Sequence, residues 1–149
     1  MTYPVDMTTR PEVQAFFDEA TNTITYLVKD PASNSCALID TVMDIDYAAG
    51  RITFDHADEL IRQIETQGLK LEWIIETHVH ADHLSAAPYI QQKLGGKIGV
   101  GSKITVVQET FGKVFNEGTE FERDGSQFDA LFEDGDTYMI GTTQAFAMY

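Results

Sequence analysis

A layered α/β fold, with helices packed on one face of a mixed sheet, is predicted by two features of this 149-residue sequence. Its opening third reads as short strands separated by turn residues. Its middle alternates helical and strand periodicities. With 43% apolar and 11% aromatic residues, the chain can bury one sizeable core. No repeat, low-complexity tract or Pro/Ser-rich linker interrupts it, so residues 1–149 read as a single domain.

The elements follow in order. Val13–Phe17 is short and aromatic, Thr23–Val28 alternates Ile24, Tyr26 and Val28, and Cys36–Ile39 is a continuous apolar run. Glu19-Ala20-Thr21-Asn22 and Asp30-Pro31-Ala32-Ser33-Asn34 carry turn chemistry between them, which predicts an antiparallel meander. Ala57, Leu60, Ile61 and Ile64 stand at helical spacing, with Asp55 as the expected N-cap and Gly68 as the expected C′ residue. Leu71–Glu76 then reads as a strand whose Trp73, Ile74 and Ile75 are buried. A second helix is expected from Ser85 to Leu94, with Pro88 in its first turn and Gly95-Gly96 ending it. Ile98–Val100 is the next strand, and Ser102 is expected to cap a third helix striped by Ile104, Val107, Phe111, Val114 and Phe115. The last stretch reads as loop followed by strands at Tyr138–Ile140 and Ala145–Tyr149.

Charge narrows the function classes. Ten Lys and Arg against 24 Asp and Glu leave a net charge of −14. Such a field repels phosphate backbones and anionic headgroups, so nucleic acid and membrane surfaces are not expected partners. No apolar run approaches the ~20 residues that cross a bilayer. The first residues, MTYPVDMTTRPE, lack the basic-then-apolar layout of a signal peptide. The single cysteine, Cys36, permits no internal disulfide. A cytoplasmic location is therefore expected.

Chemistry concentrates in one segment. Three of the four histidines fall in Thr77-His78-Val79-His80-Ala81-Asp82-His83, between the end of a buried strand and the start of a helix. Strand ends are where sites form in α/β sheets. In an extended segment residues two apart point the same way, so His78, His80 and Asp82 can converge while His83 turns away with the helix. Imidazole nitrogens with a carboxylate are ligands for Zn²⁺ or Fe²⁺ rather than Mg²⁺ or Ca²⁺. Three such polar groups beside a buried strand are costly without a shared partner, which favours a metal site. His56 stands alone in a helix's first turn and reads as a structurally satisfied residue.

The pattern His78-x-His80-x-Asp82-His83 after a hydrophobic strand resembles the metal-binding signature of the metallo-β-lactamase superfamily. The likeness extends through Ser33–Asp40, Glu76-Thr77-His78, Leu84–Tyr89, Leu94–Ile98 and Phe128–Gly135, and is similar to the persulfide dioxygenase subgroup, relatives of hydroxyacylglutathione hydrolase. The resemblance implies an αββα sandwich, of which this chain supplies the N-terminal half: a mixed sheet with helices on one face. It implies an enzyme oxidising glutathione persulfide to sulfite with O₂ at a mononuclear Fe²⁺ held by two histidines and an aspartate. His78 matches the first of those histidines. His80, Asp82 and His83 then stand beside the metal, and Asp82 takes the catalytic part of orienting it and its water. In the hydrolase relatives the same four residues instead share two Zn²⁺ ions, with a thioester as substrate. The family's second half brings a further histidine, an aspartate and usually a last histidine, whereas no histidine follows His83 here. The expectation is thus of a chain truncated before those ligands. An inactive metal-binding or structural half-domain is the alternative that is not an enzyme.

Weaker signals read blandly. Gly95–Ser102 has the glycine content of a phosphate loop, but Ile104 stands where a third fingerprint glycine belongs, so the glycines are expected to be structural. Cys36 lies in an apolar run and is expected to be buried. Asp40, Asp44 and Asp46 flank the meander's exit, where a place near the metal is one reading, but such residues more commonly read as solvated loop carboxylates. So do the eight acids between Phe115 and Asp136, where Arg123 is the only base. With helices on one face only, the opposite face of the strands around Tyr26/Val28, Cys36/Leu38 and Phe146/Met148 is expected to lie open. That predicts pairing with a second copy or with a complementing C-terminal half.

Overall fold

The computed structural model describes residues 5–46, 48–78, 84–107 and 128–149. The opening meander forms as its alternation requires. Strands β1 (Glu12–Asp18), β2 (Thr23–Lys29) and β3 (Ser35–Ile39) lie side by side, β1 and β2 pairing antiparallel from Glu12↔Lys29 to Asp18↔Thr23. Asn22 makes the first turn in the left-handed region, at φ 55°, which asparagine tolerates better than most residues.

Four further strands follow: β4 (Val42–Asp46), β5 (Arg51–Thr53), then β6 (Lys70–Glu76) and β7 (Leu84–Ser85), with helix α1 (Asp55–Thr66) between β5 and β6. Helix α2 (Ala87–Leu94) leads to β8 (Lys97–Gly101), and residues 104–107 are helical. After them come β9 (Ala130–Phe132), β10 (Thr137–Ile140) and β11 (Thr143–Phe146). The main sheet has six strands in the order β1-β2-β3-β6-β8-β9, with β3, β6, β8 and β9 mutually parallel. A three-stranded sheet, β5-β4-β7, and the β10–β11 hairpin complete the described strands.

Both helices cover the same face. Ala57, Leu60 and Ile64 of α1 and Ala87 and Ile90 of α2 pack onto Leu27, Cys36, Leu38, Leu71, Ile74 and Ile98, all of them buried. At roughly 1.5–3 kcal/mol for each large side chain removed from water, this cluster is the main source of stability. Cys36 is fully buried inside it, as its apolar run predicts, and burial pushes its thiol pKa up to about 12.

The other face follows from strand register. Partners Phe17↔Ile24, Ala15↔Tyr26 and Val13↔Val28 share it, and Tyr26↔Ile39, Ala37↔Trp73 and Ile75↔Gly99 carry it across the sheet. At one end the hairpin covers it: Tyr138 meets Trp73 edge-on at 5.3 Å between ring centroids, and the Trp73 indole N–H donates to the Met139 carbonyl at 3.0 Å. At the other end Val13 and Phe17 remain 58% and 57% exposed. The expected open face is therefore real but smaller than expected. Cys36 and Leu38 belong to the helix-covered side.

Several expected boundaries move. Phe54, not Asp55, is the N-cap of α1, and the side-chain carboxylate that meets the helix start is Asp44, accepting from the His56 amide at 2.8 Å. Gly68 ends the helix at φ +65°, as expected of a C′ glycine. Helix α2 begins at Ala87 rather than Ser85, because Leu84 and Ser85 pair with Met43 and Val42 as strand β7. The Ser102 carbonyl accepts from the Thr105 amide at 3.3 Å, but its hydroxyl lies 3.0 Å from the Tyr149 hydroxyl instead of capping. Phe111, Val114 and Phe115 lie outside the described residues. The final strand is Thr143–Phe146, ending before Ala147–Tyr149.

Candidate metal centre at the end of strand β6

Two chain connections are brought together at the C-terminal edge of the parallel strands. Strands β3 and β6 run parallel with Ile39 opposite Ile75, and the Asp40 amide donates to the Ile75 carbonyl at 2.9 Å. Beyond them β4 and β7 pair antiparallel. Asp40 and Thr41 join β3 to β4, while residues 77–83 join β6 to β7. The described flanks of the histidine segment are thus fixed on both sides, Thr77 beside Asp40 and Leu84-Ser85 by pairing with β4.

Asp40 adopts a left-handed conformation, φ 55°, uncommon for a residue with a side chain. From there its carboxylate reaches Thr77. The Thr77 amide donates to Oδ1 at 2.8 Å, and the Thr77 hydroxyl donates to Oδ2 at 2.5 Å. The same hydroxyl oxygen lies 2.7 Å from Nδ1 of His78. Asp40 is therefore no solvated loop carboxylate, contrary to the commoner of its two sequence readings. Its partner is 37 residues away and only the β3–β6 register reveals it.

Beneath this edge sit buried polar groups. Glu76 is 6% exposed, and the Ser85 hydroxyl donates to its Oε1 while accepting from the Ala87 amide at 3.0 Å. Glu76 and Ser85 thereby tie the last residue of β6 to the start of α2, across the histidine segment. Thr41 is fully buried, and its hydroxyl is the one described buried side-chain polar atom without a hydrogen-bond partner. Such exceptions are few in native structures and here stand one residue from Asp40.

Of the four expected metal ligands, the structure describes His78, which is exposed at the sheet edge. His80, Asp82 and His83 lie outside the described residues. Among the described residues no three His, Cys, Asp or Glu side chains converge as a metal-binding group. The donor chemistry that is described fits a metal ligand: an imidazole whose Nδ1 is engaged by an outer hydroxyl, itself oriented by a carboxylate. His56 is elsewhere and structurally employed, with Nε2 3.3 Å from the Thr25 hydroxyl.

The other singled-out acids serve the fold. Asp46 accepts from the Ala49 amide at 3.1 Å, Asp129 Oδ2 accepts from the Ile98 amide at 2.8 Å, and Asp136 Oδ2 accepts from the Glu133 amide at 2.8 Å. Glu117, Glu120, Glu122 and Asp124 lie outside the described residues. Among those described, no helix is long and apolar enough to cross a membrane.

Comparison with known proteins agrees with this geometry. Residues 20–146 match the model of the metallo-beta-lactamase superfamily. A protein of Burkholderia pseudomallei named as a probable metallo-hydrolase is 51% identical over 92% of this chain and 47% of its own length. Human mitochondrial persulfide dioxygenase is 27% identical over 87% of this chain and 39% of its own length. The chain thus spans less than half of either relative. The dioxygenase likeness expected from the motifs is the more distant of these two. A metallo-beta-lactamase of Staphylococcus aureus shares the fold, with a TM-score of 0.65 at 17% identity, covering 93% of this chain and 33% of that one. The mixed sheet, its helix-covered face and the histidine segment at the end of β6 are those of a protein that belongs to the metallo-β-lactamase superfamily.

Proposed function

We propose that this chain works as the metal-binding part of a metal-dependent hydrolase, acting on a thioester of a small thiol such as glutathione. The observation that carries the reading is His78 at the end of β6, its Nδ1 held 2.7 Å from the Thr77 hydroxyl and that hydroxyl held by Asp40. The 51% identity to a probable metallo-hydrolase favours hydrolysis over oxidation. His78 is the first metal ligand, and His80, Asp82 and His83 complete this side of the site, with Asp82 orienting the water. When bound, a zinc ion supplies Lewis-acid polarisation of a carbonyl and a more acidic water. The chain's own part is to hold the imidazole in one orientation and to keep Glu76 buried and hydrogen-bonded beneath it. Hydrolysis adds water to the acyl carbon, breaks its bond to sulfur, and releases a carboxylate and a thiol.

The second reading is a persulfide dioxygenase with one Fe²⁺, supported by the facial ligand pattern that His78 matches and by the 27% identity to the human enzyme. Metal analysis and turnover, run on this chain and on the longer polypeptide that matches its relatives' length, separate the two. Zinc with thioester hydrolysis supports the proposal. Iron with oxygen uptake on glutathione persulfide replaces it with the second reading. No metal and no turnover in either polypeptide overturns both.

A further inference from the structure

We infer that the groove where the starts of β6 and β8 meet is a binding site for a small planar carboxylate, its charge taken by Lys70 and Lys97 and its body laid against Trp73. The groove has a volume of about 360 Å³ and is lined by Lys70, Leu71, Glu72, Trp73, Gly96 and Lys97. It lies at the far end of β6 from His78, with about 20 Å of strand between Lys70 and Glu76, and is independent of the metal reading.

Strand pairing makes the groove. The β6–β8 ladder begins at Trp73↔Lys97, so Lys70, Leu71 and Glu72 run on past the start of β8. On its other side β6 pairs with β3, where Cys36↔Leu71 is followed by Ala37↔Trp73, and Glu72 is the extra residue of a bulge. Bulges re-aim side chains, and here the Glu72 carboxylate accepts from the Ser35 hydroxyl at 2.7 Å and the Gly141 amide at 3.0 Å. Gly96, at φ +88°, comes in against the β6 backbone: a Cβ there would stand 3.2 Å from the Leu71 carbonyl oxygen, tighter than ordinary contact.

Charge and ring geometry set the ligand. The chain has 10 Lys and Arg against 24 Asp and Glu, yet two lysines meet at this groove beside one carboxylate. The ion pairs among the described residues, Lys29–Glu12 and Arg62–Glu59, involve neither lysine. Lys97 Nζ lies 5.7 Å from the centroid of the Trp73 ring, near the outer limit of a cation–π contact, which keeps its ammonium at the groove with donors to spare. The indole is a fixed platform. Its N–H donates to the Met139 carbonyl at 3.0 Å, and Tyr138 and Phe132 flank it at 5.3 and 5.6 Å between centroids. Trp73 is only half-buried, so the hairpin leaves part of the ring to the groove. An aromatic surface beside two ammonium groups recognises a flat apolar body with an anionic end. The net charge of −14 and the Glu72 carboxylate disfavour a doubly charged head, which leaves the singly charged carboxylate.

Trp73 is the protein's one tryptophan, so its fluorescence reports this groove alone. The metal-free protein is titrated with benzoate and with benzamide, an uncharged analogue of nearly the same shape. Benzoate is expected to change the emission saturably, and benzamide to bind at least about 5-fold more weakly. Lys70→Gln and Lys97→Gln are each expected to weaken benzoate binding about 2–5-fold, and the double variant about 10-fold. Lys93→Gln removes a lysine at the same 5.7 Å from a ring, that of Tyr89, but outside the groove, and should bind benzoate as the parent does. Melting curves matching the parent's show that the variants fold, so that lost affinity counts for the site. No saturable change with benzoate, equal affinities for benzoate and benzamide, or an unchanged affinity in the double variant overturns the inference.

Discussion

Asp30 and Asp40 follow neighbouring antiparallel strands, so they stand at opposite ends of the sheet and make a natural pair. Asp30, after β2, has no exposed surface, and every bond it makes stays within the fold. Its carboxylate accepts from the Ser33 hydroxyl at 2.6 Å, the Thr142 amide at 2.7 Å, the Thr143 hydroxyl at 2.8 Å, and the Ala32 amide at 3.3 Å. Glu72 repeats the device beside it, accepting from the Ser35 hydroxyl at 2.7 Å and the Gly141 amide at 3.0 Å. Together they fasten the β10–β11 turn to the main sheet. Gly141 is required there: at φ +58° a side chain is strained, and a Cβ would overlap both Asp30 and Ser33.

The Asp40 carboxylate, after β3, accepts from the amide and hydroxyl of Thr77, and that hydroxyl carries the contact on to His78. The contrast separates a carboxylate that fastens the fold together from one that stands beside the proposed site. What distinguishes Asp40 is where its bonds lead: to an exposed imidazole instead of back into the core.

The sharpest way to break this contrast is Asp30→Ala. It leaves the Ser33, Thr142 and Thr143 hydroxyls and the Ala32 and Thr142 amides without their acceptor and frees the hairpin that covers Trp73. The expected loss is roughly 10 °C in melting temperature, read by circular dichroism, with zinc affinity unchanged within about twofold. A fall in zinc affinity as large as that of His78→Ala would show that the two ends of the sheet are not independent.

Acid sharpens it next. The Ser33 hydroxyl foremost, then the Thr142 amide, hold the Asp30 carboxyl well below the usual carboxylate range despite its burial. The Gly141 amide and the Ser35 hydroxyl hold Glu72 below it in the same way. A group whose folded pKa is depressed contributes stability that is present above its unfolded pKa and lost as pH falls towards the folded one. Melting temperature should therefore hold above about pH 5 and decline steadily below about pH 4. Asp30→Asn should flatten that decline, and an equally steep one would contradict the assignment.

Cys36 supplies the smallest expected effect. Buried among α1, α2 and the sheet, with its thiol pKa at about 12, it should resist an aromatic disulfide reagent at pH 8 until the protein unfolds. Labelling of the native protein at the rate of a free thiol would mean that the helix-covered face opens, and that the lone thiol is available to metals.

Much of the fold was legible from side-chain periodicity. Strands β1, β2, β3, β6 and β8 and both helices carry long enough apolar patterns to be read directly. Strands β4, β5, β7 and β9 were not. β7 has two residues, β5 and β9 have three, and β4 includes two aspartates, which strands disfavour. Those strands exist because neighbours pair with them, a tertiary cause that no local pattern carries. The site divides the same way. The place of His78 just past a buried strand is legible because the motif's spacing and the strand before it are local facts. Asp40 was read as solvated because its meaning depends on the parallel register of β3 and β6, which only the fold supplies. Asp129, likewise read as part of a solvated acidic face, is a bridge from Ile98 to Gln91, 2.8 and 2.7 Å from its carboxylate oxygen.

The central claim, that the end of β6 is a metal centre and the rest of the sheet its scaffold, is met most directly by a comparison of two histidines. Zinc affinity of the parent protein should be measured by chelator competition beside His78→Ala and His56→Ala. Loss of an outer partner already weakens such sites about 10–100-fold, so His78→Ala is expected to lose at least that much. His56→Ala, whose ring contacts Thr25 in the interior, should stay within about twofold of the parent in affinity and lose only stability. Equal affinities in all three proteins, or a parent that binds no zinc, would contradict the account.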